Sequence, residues 1–109
     1  MSLTLKVLGQ ISPSVTTETD LYVVPAATST VVSTITVCNR SANFATFRIS
    51  VSIGGGLTAT KDYIYYDLII AGNDTFACTF GISLSTGDAV RVYSSTNTLS
   101  FNAFGQESA

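Results

Sequence analysis

The chain predicts an all-β fold: a single β-sandwich of about eight antiparallel strands, with jelly-roll or immunoglobulin-like connectivity. Three observations carry this. Apolar and polar residues alternate with period two from end to end, and no segment shows a helical period. Turn-forming clusters interrupt the alternation at short, regular intervals. The length of 109 residues suits one domain, 1–109, with one modest core.

Each element follows from its residues. The first strand, 3–10, is expected as an edge strand or as an arm (1–10) lying across an adjacent subunit, and it ends before Ser12-Pro13-Ser14. A short strand at 19–24 stops at Pro25. Residues 29–39 place Val31, Ile35 and Val37 on one face, and Cys38 with Thr34 and Thr36 on the other. The cleanest alternation is 44–53, where Phe47, Ile49, Val51 and Ile53 interleave with Thr46, Arg48, Ser50 and Ser52. Gly54-Gly55-Gly56 then opens the longest loop, reaching Lys61, which is expected to be mobile or ordered by a partner.

In the strand at 62–70, Ile64, Tyr66, Leu68 and Ile70 are expected to face the core, leaving Tyr63, Tyr65, Asp67 and Ile69 outside. Gly72 and Asn73 are suited to the positive φ of a tight turn. The strand at 74–83 sets Cys78 on the apolar face with Phe76, Phe80 and Ile82. After Gly87-Asp88, the strand at 88–95 turns Val90 and Val92 inward and Arg91 and Tyr93 outward. The last strand spans 98–106.

Composition narrows the function. Ser and Thr fill 30 of the 109 positions, while charged residues make up only 11%. Hydroxyls can solvate such a surface, but a low charge is also what a surface covered by other protein carries. The net charge is −2 and the five basic residues are scattered, so phosphate neutralisation of a nucleic acid is not expected. No membrane helix and no signal peptide are expected either. Cys38 and Cys78 point to opposite faces, which argues against a disulfide and favours a reducing compartment. The chain has no histidine, which removes Ser-His-Asp, Cys-His and imidazole-zinc arrangements. Asp62, Asp74 and Asp88 stand where turn-capping acids stand, and the triple glycine lacks the Lys-Ser/Thr of a phosphate loop. The expectation is a protein without enzymatic activity, bound metal or cofactor.

What remains is Tyr63, Tyr65, Arg48, Arg91 and Tyr93 on an outer sheet face. Tyr and Arg are favoured anchors of protein contacts, so these five are the candidate protein-interface residues, against the plainer alternative of ordinary cross-strand packing.

The order of the segments TDLYVVP, VVSTITVCNRS, ATFRISVSIGG, YIYYDLIIAGNDTF, TFGISLSTGDAVRVYSS and SFNAFGQE resembles small structural proteins from the virion gene blocks of tailed bacteriophages, including cyanobacterial and marine phages. CNRS, YIYYD and GDAVRVY are the most specific pieces, and the resemblance spans about residues 9–107. It implies a virion component assembled in the bacterial cytoplasm, most readily a capsid decoration or cement protein bound to the major capsid protein. The alternative is a tail, baseplate or fibre module contributing to host-surface recognition. Assembly as a homo-oligomer, with a trimer preferred by analogy, is part of the same expectation. No functional residues carry over from the resemblance.

Overall fold

A computed structural model describes residues 2–109. Among them, eight strands appear: β1 (Leu3–Ile11), β2 (Thr19–Val23), β3 (Ser29–Asn39), β4 (Ala45–Ser52), β5 (Tyr63–Ile70), β6 (Thr75–Leu84), β7 (Ala89–Ser94) and β8 (Leu99–Ser108). They form two four-stranded sheets ordered β1-β8-β3-β6 and β2-β7-β4-β5. All pairings are antiparallel, and they nest: β1 with β8, β2 with β7, β3 with β6, β4 with β5. Pairing of β3 with β8 and of β4 with β7 completes the sheets. A long hairpin folded over on itself in this way has jelly-roll connectivity. An immunoglobulin-like order would instead set β1 beside β2 in one sheet.

The inner faces meet in one core. One sheet supplies Val32, Ile35, Val37, Leu99, Phe101 and Cys78, and the other supplies Phe47, Ile49, Val90, Val92 and Ile70, all buried. Phe47 sits at the centre, with ring centroids 5.6 Å from Phe76 and 6.1 Å from Phe101. Burying one such side chain contributes about 1.5–3 kcal/mol. Both cysteines are free thiols, Cys78 in the core and Cys38 half-buried on the outer face.

Bulges correct the strict alternation at several places. In β3 the register shifts between Val32 and Thr34, so Val32 rather than Val31 joins Ile35 and Val37 inside. In β5 two residues, Tyr66 and Asp67, lie opposite the single residue Arg48, and Asp67 takes a φ of 52°. The inward set is therefore Tyr65, Leu68 and Ile70; Tyr66 is exposed rather than buried, and Ile64 is largely exposed. Ile53 also leaves the core, because the chain turns into a 3-10 turn at Ile53–Gly55.

Two of the distinctive sequence pieces are joints of this architecture. In CNRS, the buried Asn39 donates from Nδ2 to the carbonyls of Asn43 and Ala71, and its Oδ1 accepts from the Ser41 amide and the Thr98 hydroxyl. One amide thus ties three loops, with all four of its hydrogen-bonding positions used. Arg40 beside it reaches Ser12, Ser100 and the Asn97 carbonyl. At the turn after β5, Asn73 has the positive φ (55°), while Gly72 answers a different need: a Cβ there would lie 2.0 Å from the Ala42 carbonyl oxygen. In GDAVRVY, Gly87 takes a φ of 87°, and Asp88 accepts from the amides of Ser85 and Gly54.

Candidate functional site

The outer face of the β2-β7-β4-β5 sheet carries the candidate residues. Arg48 on β4 lies directly across from Tyr93 on β7. On its other side stands the β5 bulge, which delivers both Tyr66 and Asp67 to the same position. The guanidinium is consequently held three ways. Nε donates to Asp67 Oδ1 at 2.7 Å and Nη2 to Oδ2 at 3.3 Å, a two-pronged ion pair. Its carbon lies 4.2 Å from the ring centroids of both Tyr66 and Tyr93, so the cation is sandwiched between two aromatic faces. The hydrogen bonds to Asp67, the largest influence, push the Arg48 pKa further above its ordinary value. Tyr63 then meets Tyr66 edge to face at 4.8 Å.

The result is a row, Tyr93–Arg48–Tyr66–Tyr63, in which Tyr66 is 59% exposed and the others are half-buried. Beside Tyr63 and Tyr66 opens a shallow depression of about 440 Å³, closed on its far side by Thr58, Ala59 and Thr60.

Arg91 shares this face but has another task. Nε donates to Asp20 Oδ1 at 2.8 Å, Nη2 to the Gly55 carbonyl at 2.9 Å, and Nη1 to the Gly56 carbonyl, Ser52 Oγ and Thr58 Oγ1. The loop 53–62, which contains the segment 54–61 expected to be mobile or ordered by a partner, is thus tied back over the sheet. Gly54 N–H to Asp88 and Thr58 Oγ1 to Glu18 add to the attachment. At the loop's end Asp62 caps the Ala59 amide, which with Lys61 holds its carboxyl below the usual range. All three guanidinium nitrogens of Arg91 are engaged within the chain.

Of the five residues singled out from sequence, the structure brings Arg48, Tyr63 and Tyr93 together. Arg91 lies under the loop, and Tyr65 points the opposite way. The Tyr65 ring sits 5.4 Å from Phe76 and 6.2 Å from Phe47 inside the sandwich. Burial, and then the neighbouring Cys78, raise its hydroxyl pKa. Tyr66 and Asp67 complete the row and were missed. The available signal was Asp67 itself, a poor strand former in mid-strand.

Neither a family model nor a curated protein matches the chain.

Proposed function

We propose that this chain is a non-enzymatic structural protein of a tailed-phage virion. In this reading it decorates or cements the capsid, seating the outer face of the β2-β7-β4-β5 sheet on the major capsid protein. The observation that carries the reading is the Tyr93–Arg48–Tyr66–Tyr63 row. Its side chains are already fixed by stacking and by the Asp67 ion pair, so little rotamer freedom is lost when a partner covers them. Large aromatics stacked about an arginine whose charge is already balanced by Asp67 have the composition of a protein-contact core. The low overall charge and the likeness of the segment order to small phage virion proteins point the same way.

The test mixes purified protein with capsids stripped of decoration and, separately, with tails, and images both by electron microscopy. Regular density on the capsid lattice, lost with Tyr66→Ala, is the expected result. Density on tails alone moves the protein to the tail or fibre class. Binding to host cells alone makes it a receptor-binding module.

A further inference from the structure

A β-sandwich leaves unpaired backbone groups along its outermost strands, and natural edges are blunted to prevent association. Here the sheets end at β1 and β6, and at β2 and β5. Three of the four are blunted. The five-residue β2 is bulged between Asp20 and Tyr22, and β5 shifts register twice. In β6 the register shifts between Thr79 and Ile82, and the outward residues Thr75, Ala77 and Thr79 are small or polar.

β1 is different. From Leu3 to Val7 it pairs residue for residue with β8, from Leu3 opposite Ser108 to Val7 opposite Phe104. Beyond its start, the Ser2 amide donates to the Ala109 carbonyl at 2.7 Å and the Ala109 amide returns the bond at 3.0 Å. That exchange fixes the phase of the ladder. Bonded pairs alternate, so Thr4–Glu107 and Lys6–Gly105 are the next bonded pairs, and the backbone N–H and C=O of Leu3, Leu5 and Val7 point away from β8. The same three residues expose their apolar side chains, at 62%, 77% and 48%. Unpaired backbone and uncovered apolar surface therefore coincide on one edge. The one charge of this run, Lys6, is not on guard there: it is paired with Glu107 at 3.2 Å.

We propose that β1 pairs antiparallel with β1 of a second copy, about a two-fold axis at Leu5, so that one eight-stranded sheet runs through two subunits. About this axis Leu5 opposes the partner's Leu5, and Leu3 opposes the partner's Val7. Each such pair exchanges two backbone bonds with groups that have no partner among the described residues. Thr4 stands opposite the partner's Lys6, and each Lys6 keeps its own Glu107, so charge is balanced within each subunit. A second copy fits better than an unrelated strand because the apolar pattern at 3, 5 and 7 is symmetric about Leu5, which is what a two-fold interface requires of a surface. Alongside, Val31 and Phe104 line a groove of about 450 Å³ with Leu5, extending the apolar strip onto the sheet face. This inference does not depend on the virion reading.

The test is sedimentation equilibrium of the full chain up to about 100 μM, for wild type, Leu5→Asp and Leu5→Pro, with amide exchange read by NMR. Proline at an outward N–H position of an edge strand removes no bond within the chain. The expected result is a wild-type dimer, monomeric variants with unchanged far-UV circular dichroism, and wild-type amides of Leu3, Leu5 and Val7 exchanging at least about tenfold more slowly than in Leu5→Asp. If Leu5→Pro fails to fold, Leu5→Asp and the exchange pattern still decide. A monomeric wild type overturns the proposal. So does an oligomer in which these amides exchange equally fast in wild type and Leu5→Asp.

Discussion

Tyr65 and Tyr66 are adjacent, identical in chemistry and opposite in role. Tyr65 rests against Phe47 and Phe76 in the aromatic centre of the core, while Tyr66 lies over Arg48 with much of its ring in solvent. Truncating a large core aromatic costs the transfer energy of the ring plus that of the cavity left behind. Tyr65→Ala is therefore expected to lower unfolding stability by about 2–4 kcal/mol. Tyr66→Ala removes one exposed stacking contact and is expected to cost about 1 kcal/mol or less. Urea denaturation of the two variants side by side checks the assignment, and equal losses would refute it. The Cys78 thiol belongs to the same inner cluster: burial raises its pKa, and it donates to the Ile35 carbonyl at 3.4 Å.

At the scale of elements, Arg91 makes more of the bonds that hold the loop 53–62 than any other side chain. Arg91 spans Asp20 on β2, Ser52 at the end of β4, and the carbonyls of Gly55 and Gly56, a set that only a planar fork of donors can serve together. Arg91→Ala is expected to release the loop without unfolding the sheets, and Arg91→Lys to release it nearly as much. Limited trypsin digestion at Lys61 measures this: both variants should be cut at least about tenfold faster than wild type, because cleavage follows local opening. Equal rates in all three proteins would show that Arg91 does not hold the loop. The sequence marked Arg91 as outward-facing, correctly, but not that a loop returns over it, since the acceptors are backbone carbonyls of glycines and leave no trace in residue chemistry. All eight strands were legible because alternation and turn residues report directly on the pleat. Which residue faces inward was legible only as far as the next bulge. One extra residue inverts everything beyond it, and in YIYYD both faces are apolar enough that hydrophobicity cannot choose between them. The same inversion split the candidate row, keeping Arg48, Tyr63 and Tyr93 and exchanging Tyr65 for Tyr66.

At the scale of the whole molecule, the two sheets are also joined by a polar bolt. Tyr22 on β2 donates its hydroxyl to Glu107 Oε2 on β8 at 2.5 Å, Thr30 on β3 lies 2.8 Å from the same hydroxyl, and Lys6 on β1 holds the other carboxylate oxygen. Burial and the bond to Glu107 push the Tyr22 pKa up to about 12. The Tyr22 bond, helped by Lys6, holds the Glu107 carboxyl below its ordinary value. The signs follow from linkage. Glu107 keeps its charge to lower pH when folded than when unfolded. Its contribution is therefore complete above the ordinary glutamate pKa of about 4.3 and fades as pH falls through the lower, folded value. Tyr22 keeps its proton longer when folded, so its contribution is complete below the ordinary tyrosine pKa of about 10 and is lost as pH rises through about 12. Melting temperature against pH should thus fall at both ends, with Asp62 adding to the acid loss and Cys78 and Tyr65 to the alkaline one. Glu107→Gln should shrink the acid limb to the share that Asp62 carries, because no carboxylate is left at the bolt to protonate. It should also soften the alkaline limb, because a neutral amide disfavours the tyrosinate less than a carboxylate does. Tyr22→Phe should remove Tyr22's alkaline loss entirely while leaving Glu107 a weaker acid-side contribution through Lys6. Acid and alkaline limbs that both survive unchanged in Glu107→Gln would mean that the bolt does not couple the sheets, and that their union rests on the apolar core alone.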